Sequence, residues 1–366
     1  MTSFTETVPA YQVDPYWPKP LPNDWIIGQV SGIAVDADDN IWIVHRPGSL
    51  TQRETGAAQN PRWADCCIPA PSVIQFDPEG NVLRAWGGKG GPDLWPGSEH
   101  GIFIDHEKSV WLGSMNEYVT KNTMDGKRLL TLGEATPPPD PNAPAPERPE
   151  PSPTGQIRRL PGASNDLTRF SSPTDIFVDA DAREAFISDG YGNRRLIVVD
   201  SQTGAYKRHW GAYGNPPTDD VLPDYVPGQE PYKQFRSPVH AVQIDKDGLV
   251  YVADRPNNRI QVFRKDGTFV KEAFLATWTL GMGSVWDFDF SPDPDQTFLF
   301  VPDGTNMKVW ILTRKDLQVV GSFGHGGRMA GQFDWVHNLA VDSKGTIYTS
   351  EVNTGKRVQK FNLVQR

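Results

Sequence analysis

The sequence predicts an all-β, six-bladed β-propeller of four-stranded antiparallel blades around a central axis. Three observations predict it: a two-strand phrase recurs six times, two more strand-like runs follow most copies, and the 366 residues carry 34 Gly and 33 Pro. Frequent chain reversal with little room for long helices is what that Gly and Pro content implies. Twelve Trp and 17 Phe supply bulky core material. Closed all-β rings of this length fold as one unit, so residues 1–366 read as a single domain.

The phrase is a short apolar strand ending in Asp, a small polar turn, and a second apolar strand. It runs SGIAVD (31–36) with NIWIVHR, HGIFID (100–105) with SVWLGS, and TDIFVD (174–179) with EAFISDG. It continues as HAVQID (240–245) with LVYVADR, a degenerate WDFDFS (286–291) with TFLFVPDG, and HNLAVD (337–342) with TIYTSEV. β-Branched and aromatic enrichment, with turn pairs such as Asp247-Gly248 and Lys344-Gly345, marks these runs as strands. Third and fourth strands follow in SVIQFD with NVLRAWG, RLIVVD with AYKRHWG, and RIQVF with FVKEAF. Four strands per repeat, spaced by fifty to seventy residues, is the pattern of propeller blades. Six copies without a capping repeat favour a closed ring over an open solenoid. The last copy supplies only three strands, ending in VQKFNLV (358–364), so YQVDPYW (11–17) is expected to add the fourth and close the ring. Residues 135–153 are nearly half proline and read as a loop inserted between blades two and three.

Composition narrows the function classes. A net charge of −9 without a Lys/Arg cluster opposes nucleic-acid binding. No run approaches 18 apolar residues, so no membrane span is expected. Cys66 and Cys67 are neighbours, which can form only a vicinal disulfide; a reduced, cytoplasmic setting is the simplest expectation.

The first residues of the six inner strands are Ser31, His100, Thr174, His240, Trp286 and His337. Histidine occupies blades two, four and six only. In a six-fold ring those positions lie about 120° apart, so three imidazoles converge on the axis with one face open. That is the three-ligand, open-position arrangement of catalytic zinc. His45, His106, His209 and His325 share no such position. Arg46, Tyr191, Arg255 and Asp303 lie at the ends of second strands and are expected near the same region. Arg46 and Arg255 can hold a substrate carboxylate bidentately, or each serve a structural ion pair. Tyr191 suits a general base, since a dication beside a phenol favours its phenolate; the alternative is a packed ring.

Taken together, GQVSGIAVDADDNIWIVHR (28–46), HGIFID, PTDIFVD with ISDGYGNRR (187–195), VADRPNNRIQVF (252–263) and HNLAVD resemble the lyase domain of peptidylglycine α-amidating enzymes. That family, peptidyl-α-hydroxyglycine α-amidating lyase, is a six-bladed propeller of the NHL-repeat class. The resemblance runs in register from about residue 28 to 363 and implies zinc at His100, His240 and His337. It also implies a catalytic Tyr191 and substrate-positioning Arg46 and Arg255. A structural calcium is implied at the carbonyls of Ile33 and Ile102, where the family's acidic ligand is here Asn338, a site weaker by one charge. A family methionine near the metal corresponds to Trp335, so the substrate pocket, with Trp335 and Asp303, should differ in shape. The implied activity is a zinc-dependent lyase cleaving an α-hydroxyglycine-like carbinolamide, small or peptide-like, into an amide and glyoxylate. A metal-dependent propeller hydrolase or lactonase and a non-catalytic NHL-repeat scaffold remain the alternatives.

Overall fold

The computed structural model describes residues 7–88, 98–115, 117–134, 150, 152–156 and 162–364. They form six four-stranded antiparallel sheets arranged as a six-bladed β-propeller. Among them, helix is limited to four three-residue 3-10 turns. The inner strands are Gln29–Val35, Glu99–Ile104, Pro173–Asp179, Val239–Ile244, Asp289–Phe290 and Val336–Val341, in blades one to six. Among the described residues, no helix is long and apolar enough to cross a membrane.

The recurring Asp shapes the turn after each inner strand. Asp36 accepts the main-chain N–H groups of Asp38 and Asn40 and, on its other oxygen, the indole N–H of Trp42. Asp105 repeats this with Glu107, Ser109 and Trp111. In Asp245 and Asp342 the third donor is a tyrosine hydroxyl, Tyr251 or Tyr348. One carboxylate thus closes the turn and satisfies the polar tip of a buried aromatic, which is why the phrase survives around the ring. Blade five keeps the device two residues later: Asp293 accepts from Asp295 and Thr297. Its paired inner strand shrinks to Asp289–Phe290, shorter than the expected 286–291.

Ala10–Asp14 supplies the outer strand of blade six, pairing antiparallel with Val358–Val364 from Ala10↔Val364 to Asp14↔Lys360. The expected closing segment therefore pairs over its first half. Beyond the strand, Trp17 is buried against Phe76 of blade one and Tyr348 of blade six, with ring centroids 5.7 and 5.0 Å away. Closure removes a free sheet edge between the chain ends.

Antiparallel order sends first-to-second and third-to-fourth connections to one face, where none exceeds seven residues. The opposite face, where inner strands begin, holds the strand ends from which the long connections start, after residues 46, 86, 132, 210, 274 and 323. Within 47–72, Ile68–Pro69 pairs in parallel with Trp25–Ile26. Cys66 and Cys67 there are joined as a vicinal disulfide, where the sequence suggested reduced thiols. Of the expected Pro-rich insertion at 135–153, all but Glu150, Ser152 and Pro153 lies outside the described residues.

Candidate metal centre and active site

The inner strands of blades two, four and six bring His100, His240 and His337 together on the axis. All three are buried, and their candidate ligand nitrogens lie within 4.8 Å of one another. Ring centroids are 5.1 Å apart for His100–His240, 4.9 Å for His100–His337 and 4.8 Å for His240–His337, close to an equilateral triangle.

The blades between them fix the rings. His100 donates its Nδ1–H to the Thr174 carbonyl at 2.7 Å, and His240 donates to the Trp286 carbonyl. His337 bonds the side-chain oxygen of Asn338 and the backbone of Ser31. Thr174, Trp286 and Ser31 are the equivalent first positions of blades three, five and one. Hydroxyls there brace the next blade as well: Ser31 Oγ donates to the Glu99 carbonyl and Thr174 Oγ1 to the Val239 carbonyl, each 2.7 Å away. Glu99 and Val239 directly precede His100 and His240. Because the Nδ1 acceptors are oxygens, the tautomer is set with the lone pair on Nε2. Nε2 of His100 and of His240 is buried with no hydrogen-bond partner.

Burial is the main cause holding all three imidazoles neutral. It pushes His100 and His240 well below the ordinary histidine range and His337 down to about 3. The positive charges of Arg46 and Arg255 act in the same direction on His100 and His337, and Arg255 does so on His240. Neutral imidazoles with tied Nδ1 and buried, lone-pair-bearing Nε2 fit a divalent cation. His45 is the contrast: equally buried, it accepts from Gly28 N and meets the Pro71 carbonyl, so both nitrogens serve the fold.

Tyr191 lies edge-on to the triad, 5.3 Å from His100 and 6.0 Å from His240 between centroids. Arg255, fully buried, donates from Nη1 to the Tyr191 hydroxyl at 3.4 Å and lies 4.2 Å over the Trp286 ring. Arg46 donates to the Glu99 carbonyl at 2.8 Å and to the Gln29 side chain at 3.2 Å. Its positive charge lies near enough to His100 and His337 to oppose their protonation. The structure therefore gathers Arg46, Tyr191 and Arg255 around the histidines. Trp335 stands one layer out, its ring 5.8 Å from that of Trp286.

Asp303 has a different place. It accepts from Asn306 N, Asn306 Nδ2 and the Trp310 indole N–H, closing the turn between the second and third strands of blade five. Asp189 and Asp254 hold the same position in blades three and four, bonded to the buried guanidinium groups of Arg195 and Arg259. Glu351 does so in blade six with Arg357. Tyr191 and Arg255 come one or two residues past these acids, where the chain has turned toward the axis.

Sequence reasoning missed Glu99. Buried directly before His100, its carboxylate accepts from Ser72 Oγ at 2.8 Å, and with Arg46 it lines a cleft roofed by the 47–72 connection. A charged residue abutting a candidate ligand histidine was the available signal. On the other side of the histidine layer the axis opens into a cavity of about 260 Å³. Ile33, Ile102 and Asn338 line it, together with Asp175, Asp287 and Asp289. Burial raises these three carboxyls, Asp175 to about 7 and Asp289 to about 6. Asp175 and Asp287 accept main-chain N–H groups of the following blade, from Val242 and Leu339.

An NHL-repeat model matches residues 239–263, the first three strands of blade four, including His240 and Arg255. Peptidyl-glycine alpha-amidating monooxygenase B of Xenopus laevis is 26% identical over 352 residues, covering 92% of this chain and 34% of that protein. The chain thus spans about a third of the length of that relative. NHL repeat-containing protein 3 of Homo sapiens is 27% identical over 370 residues, 96% of this chain and 84% of that protein. A probable peptidyl-alpha-hydroxyglycine alpha-amidating lyase of Caenorhabditis elegans is 25% identical over 243 residues, 65% of this chain and 56% of that one. Among solved structures, a streptogramin B lyase superposes with a TM-score of 0.53 at 12% identity, covering 97% of this chain and 98% of that one; it shares the fold. The chain is therefore a six-bladed propeller with one NHL-repeat match in blade four, similar along most of its length to a section of the amidating monooxygenases and to NHL repeat-containing protein 3.

Proposed function

We propose that this protein is a zinc-dependent lyase that cleaves an α-hydroxyglycine-like carbinolamide into an amide and glyoxylate. One observation carries the reading: three neutral, tautomer-fixed imidazoles converge beside a tyrosine and two arginines. His100, His240 and His337 would hold the metal, which when bound supplies Lewis-acid stabilisation of charge developing on the substrate oxygen. Arg46 and Arg255 bind and orient the substrate carboxylate. Tyr191 serves as the base toward the carbinol hydroxyl. The C–N bond then breaks as the carbonyl of glyoxylate forms, and the departing amide nitrogen takes up a proton. The burial of Arg255 and of the three histidines limits the access of bulk water to the reacting carbon.

The similarity to amidating lyases supports this reading, and the likeness to NHL repeat-containing protein 3, whose name states no activity, keeps a non-catalytic scaffold as the alternative. A scaffold leaves the buried Nε2 atoms of His100 and His240 without a role. Metal analysis of purified protein, with a glyoxylate-release assay on N-acyl-α-hydroxyglycines, separates the two. A metal-free protein that releases no glyoxylate after zinc loading would favour the scaffold. Calcium is proposed for the axial cavity through the Ile33 and Ile102 carbonyls. Asn338 Oδ1 is bonded to His337, so Asp287 and Asp175, which line the cavity with Asp289, would be the carboxylates available to that cation. A calcium-dependent rise in Tm that Asp287→Asn abolishes is the expected result.

A further inference from the structure

Trp335 adopts φ of +60°, a left-handed conformation that costs a bulky L-residue roughly 1–2 kcal/mol. Its neighbours hold it there. Asp334 donates its N–H to Glu351 Oε2 at 2.9 Å, Val352 N–H donates to the Trp335 carbonyl at 3.1 Å, and Val336 starts the inner strand that carries His337. Strain sustained on both sides of one residue is typical of positions where the side chain has a task.

The strain presents an indole, part-exposed, against the buried indole of Trp286. Trp286 is itself fixed: its N–H donates to the Gly283 carbonyl at 2.9 Å, and the ring fits where Gly304 has no side chain. A Cβ on Gly304 would stand 2.9 Å from Trp286 Cε2. The Trp286 ring then lies 5.7 Å from His240, 5.6 Å from His337 and 4.2 Å from the Arg255 guanidinium. An apolar wall thus rises from the metal centre beside the carboxylate anchor and ends, at Trp335, on the face of the long connections.

We propose that Trp335, seated on Trp286, is the specificity-determining residue of the site and takes a flat, apolar acyl group on the substrate's amide nitrogen. This rests on the carbinolamide reading above. With the substrate carboxylate on Arg255 and Arg46, and the hydroxyl toward Tyr191 and the histidines, the acylamino substituent must leave toward the open face. Trp335, part-exposed on that face and packed on Trp286, is the aromatic surface that such a substituent would meet. An aromatic acyl group stacked there gains ring contact and apolar burial that an acetyl group lacks.

The test compares N-benzoyl- with N-acetyl-α-hydroxyglycine, taking the ratio of kcat/KM values for wild type, Trp335→Gly and Trp335→Phe. Glycine removes the ring and favours the left-handed backbone, so the strand that carries His337 keeps its start; phenylalanine keeps an aromatic face. Wild type should prefer the benzoyl substrate. Trp335→Gly should lower the ratio by about ten-fold through KM, and Trp335→Phe should restore most of it. An unchanged ratio in Trp335→Gly, or a loss confined to kcat and equal for both substrates, overturns the proposal. Calorimetric binding of N-benzoylglycine and N-acetylglycine, which lack the reacting hydroxyl, separates this inference from the catalytic one. If wild type releases no glyoxylate, the lyase reading fails, and a benzoyl preference in binding that Trp335→Gly removes still upholds the subsite. Equal binding of the two acids by wild type and Trp335→Gly overturns it.

Discussion

Supplying zinc to the metal-stripped protein should raise its Tm by an amount that the site and the chain length set. Among the described residues, His100, His240 and His337 are the one group of three His, Cys, Asp or Glu side chains close enough to share an ion, so zinc is treated as binding a single site on the folded state. At free zinc 100 times the dissociation constant, such a site stabilises by about 2.7 kcal/mol. Unfolding entropy near 2.1 cal/mol/K per residue gives ~0.77 kcal/mol/K for the 366 residues. The expected shift is therefore about 3.5 °C, rising by about 1.8 °C for each further decade of free zinc. Differential scanning fluorimetry in zinc buffers measures it directly. His240→Ala removes one nitrogen of three and should flatten the response, whereas His106→Ala, an exposed histidine off the axis, should leave it intact. A full shift in His240→Ala, or a wild-type shift that His106→Ala removes, would refute the axial assignment.

Tyr191→Phe should keep zinc content and Tm while lowering turnover roughly 10²–10⁴-fold, the usual worth of a general base; turnover within a few-fold of wild type sinks the base assignment. Stripped of metal, the protein should lose stability as pH falls from about 6.5 toward 3. Burial depresses the folded-state pKa of all three histidines, so the unfolded chain binds more protons in that window and the stability is fully present only above it. Urea midpoints that do not move between pH 7.5 and 5 would contradict this. Asp175→Asn should have the opposite pH signature. Its folded pKa is raised to about 7, so its contribution is present below about 4 and lost as pH rises through 7, and the amide should raise Tm at pH 8 more than at pH 5. Gly304→Ala should cost about 1–3 kcal/mol by overpacking against Trp286 and the Val336 carbonyl, read from urea unfolding.

The ring was legible because its repeat is built from side chains. Asp36, Asp105, Asp245 and Asp342 each close a turn and hold an aromatic two strand-residues on, so selection for the turn leaves a mark at fixed spacing. The histidines were legible by the same register, as every second first position. What supports them was not, since the carbonyls of Thr174 and Trp286 that orient His100 and His240 belong to the main chain and any residue type supplies one. Asp303 was misplaced for a related reason. At the end of a second strand, the acid closes the turn to the third strand, while the residues just beyond it, Tyr191 and Arg255, face the axis. The alignment places these side by side, and only the turn geometry separates them.

That one-residue difference also accounts for the asymmetry of the site. Arg255 follows Asp254 in blade four, and its counterpart after Asp303 in blade five is Gly304. Blade four therefore projects a guanidinium toward the axis, and blade five leaves space there. Trp286, at the first position of blade five, fills the space with a ring while its carbonyl orients His240. The indole then lies beneath the guanidinium at 4.2 Å, a cation–π contact strengthened by the burial of both groups. A side chain at 304 would displace the ring, and with it the surface on which Arg255 rests. Three-fold placement of the histidines comes from the alternation of blades, whereas the directional part of the site, a cation on one side and an apolar wall on the other, comes from a single exchange of bulk between neighbouring blades. Substrate orientation is thereby separable from metal binding: changes at Gly304, Trp286 or Trp335 should redirect what the site accepts while His100, His240 and His337 keep their ion.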